Sequence, residues 1–317
     1  MMPIIQKVPV ESLLEELTPD IFIRQTHNIG NQIYIFDGNT KPALMKEVGR
    51  LREWSFREAG GGSGKPTDID EFDLGEKPYK QLIVWNPSDK EIVGGYRFQI
   101  CSDSVKSDGS FHLSTTEIFE FSETLIKDYF PYTIELGRSF VQPHYQPSAE
   151  NRKGLFSLDN LWDGLGALVV LYPNVRYFFG KVTMYTHFNR NARDMILGFM
   201  HHYFPDTEHL VNIPNAIVPE TDCTEFLQQL SGLSYKDGHR LLNQHVRELG
   251  ENIPPLFNSY MNLSPSMRTF GTAINHHFGD VEETGIMVTI EDIYPSKKDR
   301  HIKSYLDFIA GSMDAES

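Results

Sequence analysis

Two strand-like runs, Gln81 to Trp85 and Glu91 to Ile100, stand five residues apart, separated by Asn86-Pro87-Ser88-Asp89 and then Lys90. So short a link of turn-forming residues pairs strands antiparallel, because a parallel crossover needs a dozen residues or more. The hairpin therefore excludes a purely parallel sheet. Helical spacing is equally clear on both sides of it. Leu44, Val48, Leu51 and Trp54 predict a helix over Lys41 to Ala59, and Leu158, Leu161, Leu165, Leu168 and Tyr172 predict a second. Strands are expected at Thr133 to Val141 and Val175 to Met184, a helix at Asn191 to Tyr203 stopped by Pro205, and a polar helical region at Thr224 to Glu248. A final apolar run covers Gly285 to Ile293. The expected class is α/β, a mixed, mostly antiparallel sheet flanked by helices.

Composition narrows the class of function. The chain has 317 residues, 12% aromatic and 40% hydrophobic, which excludes disorder and leaves ample core. Its net charge of −14 argues against nonspecific nucleic-acid binding. The charge is uneven: between Glu135 and Met200 seven cations face five carboxylates, and Lys297, Lys298, Arg300 and Lys303 form a second basic knot. Cys101 and Cys223 cannot build a disulfide framework, pointing to a reducing compartment. Met1 to Leu17 carries Glu11, Glu15 and Glu16 where a signal peptide needs a basic start and an apolar run. The longest apolar stretch, Leu165 to Tyr172, is far short of the roughly 20 residues of a membrane span. A cytoplasmic, soluble protein is expected.

Several tempting motifs fail. Gly60-Gly61-Gly62-Ser63-Gly64-Lys65 is followed by Pro66 and preceded by a helix, so it reads as a flexible linker or lid and not a phosphate loop. The adjacent pairs His201-His202 and His276-His277 point apart on regular structure, and no metal site is expected. No G-x-S-x-G nucleophile elbow exists. The informative stretch is Glu135-Leu136-Gly137-Arg138-Ser139-Phe140-Val141. Strand alternation puts Glu135 and Gly137 on one face, with Arg138 on the other. Arg152-Lys153-Gly154 stands just before the second helix, where backbone N–H groups and two cations suit an anion.

These residues resemble the GNAT acyltransferase superfamily, and within it the hemolysin-like, ornithine-lipid N-acyltransferase branch. The resemblance rests on E-L-G-R-S at Glu135 to Ser139, L-W-x-G at Leu161 to Gly164, Y-x-F-G at Tyr177 to Gly180 and V-G-x-Y-R at Val93 to Arg97 (here Val93-Gly94-Gly95-Tyr96-Arg97). A late P-P-L segment with Tyr260 adds to it. A more distant likeness is to acyl-homoserine-lactone synthases, through Arg52 and Phe56, Asp70 and Asp73, and Glu135 and Arg138. The likeness covers about residues 41–310, with 1–40 as an N-terminal extension, 224–250 as a helical insertion and 311–317 as a tail.

The resemblance implies a splayed GNAT-like sheet with a C-terminal elaboration. It implies direct transfer of a 3-hydroxy fatty acyl group to the α-amino group of ornithine or glycine. The donor is a thioester, of acyl carrier protein or of coenzyme A, with no permanently bound cofactor. An ammonium cannot attack a thioester, so a base is required. Glu135 is the candidate, with Asp70 and Asp73 as alternatives. Arg97 or Arg138 would grip the acceptor carboxylate, or Arg138 would serve as a structural partner of the acidic loop, Asp68 to Glu76. Arg52, Phe56 and Gly137 complete the substrate side. Ser139, Val141, Arg152, Lys153 and Gly154 would hold the donor, with oxyanion stabilisation from the Arg138 to Val141 backbone. An acidic carrier protein needs a positive patch, for which Arg152, Lys153, Arg190 and Arg193 are candidates. Phe119, Phe121, Tyr129, Phe130, Phe178 and Phe179 are available as acyl-tunnel walls or as ordinary core. A lipid product would bring peripheral contact with a membrane. The rival readings are a noncatalytic acyl-chain or carrier-protein binder, an acetyl-CoA enzyme acting on a small amine, and a membrane-lytic factor.

Overall fold

A computed structural model describes residues 1–146, 154 and 156–315. In chain order the first elements are α1 (Val10–Glu16), β1 (Phe22–Gln25), β2 (Gln32–Asp37), α2 (Pro42–Glu58), β3 (Lys80–Asn86) and β4 (Glu91–Ile100). Then come β5 (Glu120–Phe121), β6 (Thr133–Val141), α3 (Ser157–Leu171), β7 (Tyr177–Met184), α4 (Arg190–Tyr203) and β8 (Val211–Asn212). The last are α5 (Thr224–Leu230), α6 (Tyr235–Glu248), α7 (Pro255–Met261), β9 (Arg268–Asn275), β10 (Val281–Thr289), α8 (Pro295–Lys298) and α9 (Ser304–Ala315). The elements fall into two compact units. One comprises Met1–Ser114, Tyr132–Arg176 and Tyr294–Ser317, the other Thr115–Pro131 and Tyr177–Ile293.

In the first unit the strands run β1-β2-β3-β4-β6, every neighbour antiparallel, with β3 and β4 as the expected hairpin. Residues 1–40 supply its first two strands, which the sequence reading passed over because each is only four to six residues long. Strand alternation sorts the sheet into two faces. Leu82, Tyr96, Phe98, Ile134 and Leu136 turn one way and are buried. On this face α3 lies against β3 and β4, burying Leu161, Leu165 and Leu168, each worth roughly 1.5–3 kcal/mol against exposure. Gly164 explains the L-W-x-G motif: a Cβ there would stand 2.6 Å from Leu82 Cδ2, so only glycine lets helix and strand meet this closely. Gln81, Arg97, Gln99, Glu135 and Gly137 turn to the opposite face, where α2 lies against β6.

The glycine-rich loop after α2 is not the free linker its composition suggests. The buried Glu53 carboxylate accepts from Ser63 N (3.0 Å), Ser63 Oγ (2.7 Å) and Gly64 N (2.7 Å), while Arg57 donates to Met2 O and Lys65 O. One carboxylate on the last turns of α2 thus ties the loop back to its own helix. The basic knot near the end is also partly engaged, since Arg300 pairs with Asp159 at 2.7 Å.

The second unit is built on the antiparallel ladder β7-β10-β9. The expected aromatic residues pack on each other in its core. Phe179 meets Phe119, Phe121, Phe130 and Phe270 with ring centroids 5.8–6.4 Å apart. Thr224 to Glu248 is helical as expected, in two helices: α5 ends at Leu230, and Ser234 caps α6 by accepting from Asp237 N. Both helices pack on α4. Pro255 opens α7 at its first position, where its missing N–H costs nothing. Among the described residues no helix is long and apolar enough to cross a membrane.

Candidate active site

The face of the first unit's sheet that carries Gln81, Arg97, Glu135 and Gly137 holds three arginines and three aspartates. Arg52, from α2, pairs with Asp73 at 2.9 Å and donates to Gln81 Oε1 at 2.6 Å. Arg97, on β4, bridges Asp70 at 2.6 Å and Asp73 at 3.1 Å. Arg138 meets Asp68 at 2.9 Å and Asp70 at 3.3 Å. The acidic loop wraps itself around these cations, with Asp73 Oδ2 accepting from Asp70 N and Asp70 Oδ1 accepting from Phe72 N. Buried charges persist only when paired, and each of these six has an opposite charge within 2.9 Å. Burial opposes ionisation of Asp73, but Arg52 and Arg97 outweigh it and hold the carboxyl well below the usual carboxylate range. A carboxylate so stabilised is a poor proton acceptor. Burial likewise works against the Arg97 charge, yet Asp73 and Asp70 raise its pKa above the ordinary value.

Arg138 departs from strand alternation. Gly95 pairs with Phe140 but Arg97 pairs with Gly137, so β6 carries an extra residue at Arg138 and Ser139, and Arg138 has φ +49°. A bulge of this kind re-aims a side chain. Arg138 therefore joins the acidic loop on the Arg97 face instead of the opposite one. Ser139 in the bulge and Val141 beyond it are half-buried, Gly154 is buried ahead of α3, and Phe56 is buried on α2. Arg152 and Lys153 lie outside the described residues.

Glu135 is completely buried. Its Oε1 accepts from Tyr79 Oη at 2.9 Å and from Ser114 Oγ at 2.6 Å, and Ser114 N donates to Tyr79 Oη at 2.8 Å. Burial first, and then the Glu135 carboxylate, push the Tyr79 phenol well above its ordinary pKa, so it stays protonated and donating. Beside this triangle Gly137 is half-buried. A Cβ built on it would stand 3.6 Å from Arg97 Nε and 3.9 Å from Ser114 Oγ. Arg97 Nε is buried and has no hydrogen-bond partner among the described residues. A missing side chain thus leaves a small space flanked by an unclaimed guanidinium N–H and a hydroxyl.

Of the two candidate docking arginines in the second unit, Arg193 is buried while Arg190 keeps 41% of its side chain exposed. Arg193 is 2% exposed and spent on Asp194 (2.9 Å), Glu220 (2.9 Å) and Glu282 (3.5 Å), and Arg190 also pairs with Glu282. Asp68, Gln81, Tyr79 and Ser114, which bond to the predicted residues Arg138, Arg52 and Glu135, join the candidate site and were not among the residues expected from sequence. Asp68 opens the acidic loop Asp68 to Glu76, and Gln81 is an uncharged polar residue at the head of an otherwise apolar strand, so these two had a signal.

Residues 51–152 match the family model described as an acetyltransferase (GNAT) domain. A relative from Bacteroides thetaiotaomicron named glycine N(alpha)-acyltransferase is 52% identical over 306 residues, covering 96% of this chain and 90% of its own length. This chain belongs to the GNAT family. A second relative of the same name, from Phocaeicola vulgatus, is 51% identical over 305 residues, covering 96% of this chain and 93% of its own. A solved CoA-dependent acyl-homoserine lactone synthase with SAM and isopentyl-CoA aligns over 89% of this chain and 90% of that one, at 11% identity and a TM-score of 0.36. So loose a superposition equates no residues. The GNAT chain is an N-acyltransferase. The acyl N-transfer it performs needs an amine held still and deprotonated next to a thioester carbonyl.

Proposed function

We propose that this GNAT enzyme transfers a 3-hydroxy fatty acyl group from an acyl carrier protein thioester to the α-amino group of glycine, forming an amino-acid lipid precursor. The observation that carries the reading is the 52% identity, over 96% of the chain, to a protein named for glycine acylation. The space above Gly137 supports it. Glycine's ammonium and carboxylate are separated by one methylene, so a single molecule can address Arg97 Nε with its carboxylate and Ser114 Oγ with its amine. Glu135 is the final proton acceptor. Asp73 and Arg52 act as positioning residues that fix Arg97 and the acidic loop. Arg138, with its backbone in the bulge, lies where β6 would present N–H groups to the thioester oxygen. The acyl chain's 3-hydroxyl and the carrier protein as donor come from the resemblance of the E-L-G-R-S and L-W-x-G motifs to lipid-forming relatives.

The test offers the purified enzyme acyl carrier protein and coenzyme A thioesters of the same 3-hydroxy acid, each with glycine or ornithine, and detects products by mass spectrometry. N-acylglycine is expected to dominate, with the carrier-protein donor favoured. A preference for ornithine would overturn the acceptor. Equal use of a short-chain CoA thioester would overturn the donor.

A further inference from the structure

We propose that Ser114 is a further catalytic residue, passing the acceptor's proton to Glu135 through its hydroxyl. The inference rests on the reading that Glu135 is the terminal proton acceptor. Glu135 has no exposed surface, so an amine arriving from outside cannot touch it. Ser114 Oγ already donates to Glu135 Oε1 at 2.6 Å, within the range of a short charge-assisted bond. Of the side-chain polar atoms nearest the space above Gly137, Ser114 Oγ is one and Arg97 Nε is the other. An amine whose carboxylate is held by Arg97 Nε thus meets the serine oxygen, and behind that oxygen stands the carboxylate.

The step balances as follows. The α-ammonium gives a proton to Ser114 Oγ while the original Ser114 hydroxyl proton moves to Glu135 Oε1. The neutral nitrogen's lone pair forms the N–C bond to the thioester carbonyl, and the C–S bond then breaks. The nitrogen's second proton leaves with the sulfur as free thiol. Glu135 later returns its proton to solvent by the same hydroxyl. Tyr79 is a positioning residue in this relay. Its hydroxyl donates to the same carboxylate oxygen and accepts from Ser114 N, so the serine rotor, the carboxylate and the phenol form a closed triangle. Arg97 lies over the Tyr79 ring at 5.2 Å, which links the acceptor's grip to the proton's path.

The experiment measures kcat and KM against pH for the wild type, Ser114→Ala, Ser114→Thr and Glu135→Gln, with melting curves to confirm folding. General acid–base groups contribute about 10²–10⁴ in rate, so Ser114→Ala is expected to lose on the order of 10²-fold in kcat with little change in glycine KM. That deficit is expected to narrow as pH rises and solution supplies amine already neutral. Ser114→Thr, keeping a hydroxyl, is expected to retain the wild-type pH profile even if packing lowers its rate. A Ser114→Ala loss under threefold, or one constant across pH, would overturn the relay while Glu135→Gln still fell. If Glu135→Gln stays active, the base assignment itself is wrong.

Discussion

Each unit of the molecule buries arginines against carboxylates, yet the two clusters do different things. In the second unit Arg193 is spent on three acids, and Asp194 accepts from Glu220 N and Thr221 N, so the cluster latches a loop onto α4. In the first, Arg97 is equally buried and paired through its Nη1, but among the described residues its Nε, beside a half-buried glycine, has neither a hydrogen bond nor an ion pair, whereas Arg193 Nε faces Asp194 at 2.9 Å. Burial and ion pairing alone therefore do not mark a site. What marks it is a donor left unclaimed next to space that a side chain would have filled.

The sharpest way to break this contrast is to truncate both arginines. Arg97→Gln is expected to lower kcat/KM for the acceptor by on the order of 10²-fold or more, as for removal of a desolvated charge partner. Arg193→Gln is expected to lower stability by about 3–5 kcal/mol in urea titrations, with activity per folded molecule within about twofold of wild type. Equal catalytic losses would erase the distinction.

Acid sharpens it next. Asp73 has its folded pKa depressed, so its contribution to stability is present above the unfolded value of about 3.9 and is lost as pH falls through the lower folded one. Asp73→Asn is expected to cost about 3–5 kcal/mol at neutral pH, by stranding Arg52, and to flatten the stability loss below about pH 4. Denaturant midpoints measured from pH 6 downward check both halves.

The smallest effects come from two glycines. Gly137→Ala adds a methyl whose nearest neighbours are 3.6 Å or more away, so stability is expected to hold while acceptor KM rises by about tenfold. Gly164→Ala drives a methyl to 2.6 Å from Leu82 and is expected to lose about 1–3 kcal/mol with unchanged KM. The opposite assignment of the two effects would place the acceptor elsewhere.

Much of this was legible in the chain itself. The hairpin, α2, β6 and α3 follow from turn chemistry and apolar spacing, and E-L-G-R falls on β6 as expected of a strand. The face of Arg138 did not follow, because a bulge at a non-glycine residue leaves no trace in the alternation that strand reasoning depends on. Ser114 lies 21 residues before Glu135, outside any regular strand, and Tyr79 stands just ahead of β3. Their place beside Glu135 arises from tertiary folding, which no local pattern encodes. The loop after α2 looked free because glycine content reports the unfolded chain's freedom and says nothing of a carboxylate such as Glu53 that gathers its N–H groups.

The most direct measurement is a crystal structure with N-acylglycine bound. The account predicts its carboxylate within hydrogen-bond reach, about 3 Å, of Arg97 Nε and its amide nitrogen near Ser114 Oγ, over the open face of Gly137. A product bound with Arg97 Nε still unpartnered and Gly137 uncovered would contradict it.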